Sequence, residues 1–401
     1  MSKILLVTSN FPPTRGGSAS VYANLAQHLG SKLIILAPTR DYNDGLKLIG
    51  WREHDRRANY ATMRLPLLRT TLHPPPRFTR KWMIRLWDLQ LRARVLLQIL
   101  YSIAVRKVRI LCIGELLSVG WLIPIFRWMP GVKTVVYVHG EEITTIAPGS
   151  SEQRRARRSL LSSDKVIVVS SFTFAALRTL MEGEALNRVV LIQNGVDTKR
   201  FKPRAKSAVL EQQYGLIGKF TFVSVSRLVE KKGHDNTIRG FASVVARYPD
   251  TKLLIVGTGP YRPKLEQLCA ELQLENHVTF VGAVSEDDLV DHYLLGDAFI
   301  MANRALADGD TEGFGLVFLE ANSCGLAVIA GRDGGSTEAV DDKFNGLVVD
   351  GHSVSEIAEA MLALRGDPAL RGELRANGLI RAAQSDWSHK AELFERACRT
   401  S

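Results

Sequence analysis

Short apolar runs alternate with longer amphipathic stretches along nearly the whole chain. Runs such as "KILLVT" at 3–8 and "KLLIV" at 252–256 are almost continuously apolar, as in strands covered by helices on both faces. The predicted strands are 3–8, 32–37, 108–113, 132–138, 165–169, 188–192, 219–225, 252–256, 277–281, 298–301 and 326–330. The predicted helices are 18–29, 80–104, 172–182, 234–247, 261–273, 286–295, 316–323 and 353–365, with a helical tail over 367–400. This alternation predicts an α/β fold with parallel sheets.

The pattern is interrupted once, over 193–218. This stretch holds a turn-forming Asn-Gly pair, a lone proline, mixed charge and a short helix before the next strand. A chain of 401 residues is also too long for one ordinary core. We therefore expect two doubly wound domains of similar size, with a cleft between them and ligands beyond the carboxyl ends of the strands.

Composition indicates a globular protein, with 46% hydrophobic and 23% charged residues. The scattered cysteines show no C-x-x-C spacing, which argues against a disulfide framework or a zinc site and favours a reducing compartment. They are Cys112, Cys269, Cys324 and Cys398. The first ten residues hold too short an apolar run for a signal peptide, and Glu115 and Pro124 interrupt the apolar segment 110–126. We expect a cytoplasmic protein.

The formal net charge of +11 and the pI of about 9.5 predict an anionic partner. A nucleic acid, a membrane surface and a phosphorylated small molecule all satisfy that prediction. The charge is concentrated over 77–109, where nine Lys or Arg residues face one acid, and in "RRARR" at 154–158.

The basic segment 80–100 has the pattern of an amphipathic helix. At helical spacing, Lys81, Arg85, Asp88 and Arg92 share one stripe, and Trp82, Leu86 and Leu89 form the neighbouring one. A basic amphipathic helix that carries tryptophan is typical of binding to an anionic membrane surface. A helix packed on the core with a solvated face explains the pattern equally well, so both interpretations stay open.

Two glycine-containing turns follow predicted strands and carry groups that suit an anionic ligand. In 8–20, Gly16 and Gly17 precede a helix whose N-terminal N–H groups can approach an anion. In 224–235, Arg227 and Lys232 flank a turn closed by Gly233, and a guanidinium fork with an ammonium suits a diphosphate. A third turn, 256–265, is interpreted as a tight packing turn.

The stretch "DTEGFGLVFLEA" at 310–321 places two acids around a glycine-rich helix start. Glu312 lies in the loop and Glu320 about one turn inside the helix, and carboxylates accept hydrogen bonds from pairs of hydroxyls. A capping acid and a solvent-facing helix residue are the structural alternatives. Just upstream, Asp308-Gly309-Asp310 spells D-x-D, a metal-binding signature, but a polar loop is the preferred interpretation.

Together these segments resemble the retaining GT-B glycosyltransferases of glycosyltransferase family 4. The resemblance rests on "FPP" and "GG" near the start, "NGVD", "SRLVEKKG", "VGTGP" and the E-x7-E of "EGFGLVFLE", and it covers nearly the whole chain. It implies a GT-B fold, two Rossmann-like domains facing a central cleft. Residues 1–200 would bind the acceptor and 201–375 the nucleotide sugar, and 376–401, around Trp387, would cross back to the first domain.

The resemblance also implies roles for individual residues. Arg227 and Lys232 correspond to the pair that binds the donor diphosphate, Glu312 to the acid on the sugar hydroxyls, and Glu320 to the acid on the ribose. Further implied contacts to the donor come from Gly16, Gly17, Phe314, Gly315 and Leu316. His139, in "VHGEE" at 138–142, would face the donor sugar. No metal and no enzyme nucleophile are implied.

The expected activity is therefore transfer of a hexose-type sugar from a UDP- or GDP-sugar to a hydroxyl of a glycan or lipid-linked acceptor. Its expected setting is the synthesis of a bacterial surface polysaccharide or glycolipid, either in the cytoplasm or on the inner face of the membrane. One alternative is a sugar-nucleotide epimerase of GT-B-like fold. The other is a non-catalytic nucleic-acid-binding protein, which only the charge favours, because no nucleic-acid-binding motif is present and no nucleic acid is expected.

Overall fold

The structure, a computed structural model, describes residues 2–73 and 81–400. Its strands are β1 (Lys3–Val7), β2 (Leu33–Pro38), β3 (Ala61–Leu65), β4 (Val108–Ile113), β5 (Lys133–Val138), β6 (Lys165–Val168), β7 (Val189–Leu191), β8 (Phe220–Val225), β9 (Thr251–Val256), β10 (Val278–Gly282), β11 (Ala298–Met301), β12 (Ala327–Gly331) and β13 (Gly346–Val349).

The helices are α1 (Gly17–Leu29), α2 (Trp51–Arg57), α3 (Lys81–Val105), α4 (Leu116–Val119), α5 (Ile123–Phe126), α6 (Glu141–Thr144), α7 (Ser151–Ser162), α8 (Ser171–Leu180), α9 (Ala208–Gln213), α10 (His234–Arg247), α11 (Arg262–Glu271), α12 (Leu289–Leu294), α13 (Leu316–Ser323), α14 (Val354–Gly366), α15 (Pro368–Gln384) and α16 (Trp387–Arg399). Short 3-10 turns lie at Gly30–Lys32, Gly120–Leu122, Leu186–Arg188, Glu230–Lys232 and Ser336–Glu338. The strands and helices alternate as the hydrophobic pattern predicts.

The first compact unit runs up to Gln193 and also contains the segment from Trp387 onward. Its seven strands form one parallel sheet in the order β3-β2-β1-β4-β5-β6-β7, with a core of apolar residues from the strands and the covering helices. Helix α16 packs on α1 in this unit, where Trp387 and Phe394 are buried. Lys32 pairs with Glu395 at 2.8 Å and fastens the end of the chain to this unit.

The second compact unit spans Asn194–Asp386 and has its own core. Its six strands form a parallel sheet in the order β10-β9-β8-β11-β12-β13. In both sheets the chain starts in the middle, builds one half and then crosses to the other. Such doubly wound sheets bind ligands at the crossover, beyond the carboxyl ends of the two central strands.

Two strands were missed from the sequence, and both are edge strands. Strand β3 reads "ATMRL" and buries only Met63 fully, and β13 reads "GLVV" with half-buried central residues. At the edge of each sheet the strand's side chains are only partly covered, so fewer of them need to be apolar and the sequence signal is weak. The helix α7, which contains "RRARR", was also missed because its arginines are largely exposed and hide the apolar side.

Three further features of the sequence are the cysteines, the apolar segments and the basic cluster over 77–109. All four cysteines are buried and free. None of the described helices is both long enough and apolar enough to cross a membrane. Arg77 and Arg80 of the basic cluster, together with the first residue of the helix predicted at 80–104, lie outside the described residues.

Candidate active site

The predicted donor-binding residues of the second unit come together at the crossover of its sheet. The crossover lies between β8 and β11, and the loops that follow these strands are 226–233 and 302–315. The first loop carries Arg227 and Lys232, and the second leads through Glu312 to the start of α13. The topology therefore collects residues that are about eighty positions apart in the sequence.

The loop after β8 is held by the loop after β9 through backbone contact. The N–H of Ser226 donates to the carbonyl of Val256 at 3.1 Å, and that of Leu228 donates to Thr258 at 2.9 Å. A Cβ at Gly257 would lie only 1.9 Å from the Ser226 carbonyl oxygen. The turn at 256–265 is thus the tight packing turn that was predicted, and it supports the backbone around Arg227, whose side chain is exposed.

Lys232 and Glu312 form an ion pair with both side chains largely buried. Burial raises the pKa of Glu312, but the charge and the hydrogen bond of the Lys232 ammonium outweigh burial, so this pKa lies below its usual value. The other carboxylate oxygen of Glu312 accepts the Gly315 N–H at 3.1 Å. Glu312 therefore holds the backbone just before α13 begins, and it stays ionised at neutral pH.

The start of α13 depends on a glycine in the left-handed region. Gly315, with φ 86°, precedes Leu316, the first helical residue, and a Cβ here would lie 2.5 Å from the Phe318 ring. Phe314 is buried and Leu316 is half-buried. The predicted contact residues are thus fixed by a close approach that only glycine permits.

Glu320 is half-buried and receives a hydrogen bond from a tyrosine that sequence reasoning missed. The hydroxyl of Tyr293 donates to its Oε2 at 2.6 Å. Burial raises the pKa of Glu320 to about 7, although the Tyr293 hydrogen bond lowers it in part. Tyr293 is completely buried between Phe201 and Phe299, with ring centroids 5.8 Å away in each case. In the sequence, Tyr293 belongs to the apolar pattern of the helix predicted at 286–295, which indicates a residue of the core and not a partner of Glu320.

In the first unit, Gly16 and Gly17 lie where α1 begins, beyond the carboxyl end of the central strand β1. Gly16 is the N-cap, Gly17 the first helical residue, and both are exposed. A Cβ at Gly16 would meet no atom within 4 Å, so the space beside this helix start is open. The N-terminal N–H groups of α1 are therefore accessible, as a contact to an anion requires.

His139, after β5, is part of a buried hydrogen-bond chain that ties it to α1. The Tyr22 hydroxyl donates to the Gly114 carbonyl, so the N–H at His139 Nε2 donates to the Tyr22 oxygen, 2.7 Å away. Tyr137 stacks on the imidazole with centroids 5.0 Å apart. Burial lowers the pKa of His139 to about 3, so the ring is neutral at ordinary pH.

Glu142 fixes the backbone that carries His139. Its Oε1 accepts the His139 N–H at 2.8 Å and its Oε2 accepts the Gly140 N–H at 3.1 Å. Burial raises the pKa of Glu142 to about 7, against these backbone hydrogen bonds. In "VHGEE" the second glutamate is therefore the one that shapes the loop.

A polar cluster near the crossover of the first sheet, between β1 and β4, was also missed. Arg69 donates from Nη1 to Ser118 Oγ at 2.7 Å, and its guanidinium lies 5.1 Å from the Tyr42 ring centroid. Thr8 Oγ1 donates to Glu115 Oε1 at 3.3 Å, and burial raises the pKa of Glu115. Arg69 follows the edge strand β3, and without that strand nothing in the sequence placed it near the others.

The D-x-D segment has protein partners in this structure. Asp310 pairs with the Lys231 ammonium at 2.5 Å, and Asp308 Oδ1 accepts the Asp310 N–H at 3.0 Å. Within residues 2–73 and 81–400, no group of three or more His, Cys, Asp or Glu side chains is arranged to hold a metal ion.

Comparison with known proteins covers both units. Residues 15–200 match the model described as Glycosyltransferase Family 4, and residues 208–381 match that described as Glycosyl transferases group 1. A GDP-mannose-dependent alpha-(1-6)-phosphatidylinositol monomannoside mannosyltransferase of Mycobacterium tuberculosis is 34% identical, over 91% of this chain and 89% of its own. A GDP-mannose-dependent monoacylated alpha-(1-6)-phosphatidylinositol monomannoside mannosyltransferase of Corynebacterium glutamicum is 28% identical, over 96% of this chain and 94% of its own.

Solved structures agree with the fold. Anabaena Alr3699/HepE in complex with UDP and glucose superimposes with a TM-score of 0.77 at 19% identity, over all of both chains. Sucrose-phosphate synthase from Thermosynechococcus elongatus also gives 0.77, at 22% identity, over 100% of this chain and 98% of that one. These relatives favour neither the epimerase nor the nucleic-acid-binding alternative. The chain is a glycosyltransferase with the GT-B fold and belongs to glycosyltransferase family 4.

Proposed function

We propose that this protein is a retaining, metal-independent transferase that moves a hexose-type sugar from a nucleoside diphosphate to a hydroxyl of a lipid-linked acceptor. The second unit binds the donor and the first binds the acceptor. GDP-mannose is the first donor to test and a phosphatidylinositol mannoside the first acceptor, because the named relatives from two bacteria use them. The UDP-sugars are the second donor class, since HepE was solved with UDP and glucose.

The observation that carries this proposal is the pair formed by Lys232 and Glu312 at the crossover of the second sheet. A cation for a diphosphate and a carboxylate for sugar hydroxyls are the two groups that a nucleotide sugar needs close together. On donor binding, Lys232 and Arg227 turn to the phosphate oxygens, and Glu312 accepts hydrogen bonds from the sugar. Glu320, further along α13, accepts those of the ribose.

The reaction breaks the bond between the anomeric carbon and the diphosphate oxygen and forms one from that carbon to the acceptor oxygen. The acceptor's proton passes to the departing phosphate, so the sugar keeps its anomeric configuration by attack on the face that the leaving group vacates. Lys232 and Arg227 stabilise the negative charge that develops on the diphosphate, which is usually the largest catalytic contribution. His139 is held neutral by burial and its N–H is used on Tyr22, so only its Nδ1 is left to accept a hydrogen bond from a sugar hydroxyl.

Metal independence is proposed because side chains supply the cations at the donor site. The aspartate of the D-x-D segment that would bind a metal, Asp310, is already paired with Lys231. Activity should therefore survive EDTA, and Asp308→Asn should be tolerated. Strict dependence on Mn²⁺ or Mg²⁺ would contradict this part of the proposal.

The acceptor site is proposed at the crossover of the first sheet, around Arg69. Ser118 and Tyr42 hold the guanidinium of Arg69. Burial raises the pKa of the nearby Glu115, and the charge of Arg69 lowers it in part. A preorganised guanidinium with donors to spare suits the phosphate of a lipid headgroup.

Helix α3 supports a peripheral position on the inner face of the membrane. Trp82, Leu86 and Leu89 are 59–63% exposed on one face, and the stripe continues to Leu97 and Leu100. The opposite face packs on the core through residues that include Leu91, Val95 and Ile99. Because α3 has an apolar face on each side, the packed-helix interpretation accounts for only one of them. Lys81, Arg85 and Arg94 flank the exposed stripe, which suits an anionic lipid surface.

The test is product analysis with purified protein and a panel of GDP-, UDP- and ADP-sugars, with and without a phosphatidylinositol mannoside. We expect glycosylated acceptor from one donor class, with the α configuration of the donor retained. A change of the sugar without acceptor would identify the epimerase instead. Lys232→Ala is the inactive control and Asp308→Asn the matched active one.

A further inference from the structure

Lys231, next to the proposed phosphate-binding Lys232, is a second lysine at the donor site with a separate role. Only 5% of this residue is exposed, and its Nζ donates to Asp310 Oδ1 at 2.5 Å and to the Thr311 carbonyl at 3.2 Å. Its own carbonyl accepts the Arg304 N–H at 2.8 Å. Both the side chain and the backbone carbonyl of Lys231 therefore form hydrogen bonds with the loop that follows β11.

The same two loops are joined a second time by Arg304. Its guanidinium forms two hydrogen bonds with Asp235, at 2.8 and 3.0 Å, and lies 3.5 Å from a carboxylate oxygen of Glu230. Burial raises the pKa of Asp235, but the hydrogen bonds and charge of Arg304 lower it below its usual value. The loop after β11 is thus fixed to the start of α10 by one ion pair and to the 3-10 turn by another.

Stability alone is a weak explanation for the Lys231–Asp310 pair, because placing two charges away from water is costly. Desolvating two ions offsets much of their attraction, so a buried pair is weak evidence for stability and better evidence for a fixed arrangement. Each member is close in sequence to a proposed donor-binding residue: Lys231 precedes Lys232, and Asp310 is two positions before Glu312. A shift of either loop would change the separation of the ammonium and the carboxylate that meet the donor.

Resting on the proposed function, we propose that Lys231 and Asp310 form a positioning pair that sets the spacing of Lys232 and Glu312 for the nucleotide sugar. In this proposal neither residue contacts the donor, and the charge of Lys231 also helps to keep Glu312 ionised. The D-x-D segment thereby acquires a function in this chain without a metal. Its second aspartate is the carboxylate of an internal clamp, and its first, Asp308, shapes only the loop itself.

The experiment compares Lys231→Met, Asp310→Asn and the double variant with Asp308→Asn, a control with the same chemistry in the same loop. Steady-state kinetics use the donor and acceptor that the wild type turns over, and calorimetry measures binding of GDP or UDP. We expect kcat/KM for the donor to fall on the order of 10- to 100-fold in both single variants, because small misplacements of reacting groups have effects of that size. Asp308→Asn should stay within about twofold of the wild type.

The double variant separates positioning from charge balance. Removing one member leaves a buried charge without its partner, and removing both relieves that cost. If the pair serves only the fold, the double variant regains wild-type kinetics and nucleotide affinity, which would overturn the proposal. If it positions the loops, the double variant stays impaired even when its thermal unfolding returns to that of the wild type.

Failure of the clamp and failure of the proposed function give different results. If the wild type transfers no sugar and binds no nucleoside diphosphate, the proposed function fails. If the wild type is active and Lys232→Ala is not, but Asp310→Asn behaves like Asp308→Asn, only the clamp fails. Should Lys231→Met not fold, Asp310→Asn and the double variant still decide the question.

Discussion

The ammonium of Lys232 donates a hydrogen bond to a carboxylate oxygen of Glu312, although the two residues are 80 positions apart in the chain. Each is the other's ion-pair partner, so neither largely buried charge lacks a counter-charge. The pair also explains why Glu312 keeps its charge at neutral pH, because the Lys232 ammonium lowers the pKa of its carboxyl against the effect of burial. We expect a bound nucleotide sugar to replace these mutual contacts, with its diphosphate on Lys232 and its sugar hydroxyls on Glu312.

Removing a cation from the donor site should reduce turnover strongly and leave the fold intact. For Lys232→Ala and Arg227→Ala we expect kcat to fall on the order of 10²–10³-fold, since one lost donor to a developing oxyanion costs roughly 2.7–4 kcal/mol. In Lys232→Ala the pKa of Glu312 should rise, because burial then acts without the opposing ammonium. Kinetics and circular dichroism of both variants check this, and near wild-type turnover in either would remove the diphosphate assignment.

Glu312 and Glu320 should differ in kinetics because the proposed function assigns them to different parts of the donor. Ribose contacts are equal in the ground and transition states, so Glu320→Gln should raise the donor KM with little change in kcat. Sugar contacts tighten as the ring approaches an oxocarbenium ion, so Glu312→Gln should lower kcat and kcat/KM together. Steady-state kinetics at a fixed acceptor concentration check this, and the opposite pattern would mean that the two roles are exchanged.

Donor affinity should depend on pH through Glu320. Burial raises its pKa to about 7, so below that pH it is protonated and accepts hydrogen bonds from ribose hydroxyls less well. The donor KM should rise as the pH falls below about 7. Glu320→Gln should remove the part of this dependence that Glu320 causes and leave the part that Glu142 causes through His139. An acid whose pKa is raised on folding stabilises the fold below its unfolded value of 4.5, and this contribution is lost as the pH rises through about 7.

Thermal unfolding gives a second check on the same group. Glu320→Gln should gain stability relative to the wild type at pH 8 and show little gain at pH 4. A donor KM that stays flat with pH in the wild type would contradict the assignment of Glu320 to the ribose.

Arg69 should determine affinity for the acceptor and leave the donor unaffected. Charge-assisted hydrogen bonds contribute roughly 1.5–3 kcal/mol, so Arg69→Gln should raise the KM of a phosphate-bearing acceptor by about one to two orders of magnitude. The matched control is Arg178→Gln, an exposed arginine on α8. An equal loss with an acceptor analogue that lacks the phosphate would show that Arg69 acts through the fold of its loop.

The exposed stripe of α3 should mediate binding to anionic vesicles. We expect Leu86→Gln combined with Leu89→Gln to reduce co-sedimentation with phosphatidylinositol-containing vesicles by at least about tenfold, because each buried CH₂ contributes roughly 0.8 kcal/mol. The control replaces Val209 and Ile217, which are 75% and 65% exposed in the second unit. Binding that is equal for all variants, or insensitive to salt, would exclude this surface.

The sequence determined the elements that sit in the middle of each sheet and the helices that cover them. The apolar runs of β1, β8 and β12 must be buried on both faces of their sheets, and the periodic apolar face of α10 supplies part of that cover. The tight turn at Gly257 also followed from the sequence, and the structure shows the close backbone approach that it requires. These local features suffice for the fold class and for the resemblance to the family.

Tertiary structure decided which of these residues are neighbours. Edge strands β3 and β13 are too weakly apolar to be recognised alone, and Arg69 was lost with the first of them. The partners of Glu320 and Lys231, which are Tyr293 and Asp310, lie 27 and 79 positions away in the chain. Local pattern carries no information about such pairs, because only the crossover of a parallel sheet brings the ends of non-consecutive strands together. The same packing sets the dielectric environment that moves the pKa of Glu320 toward neutrality, a property that no sequence pattern contains.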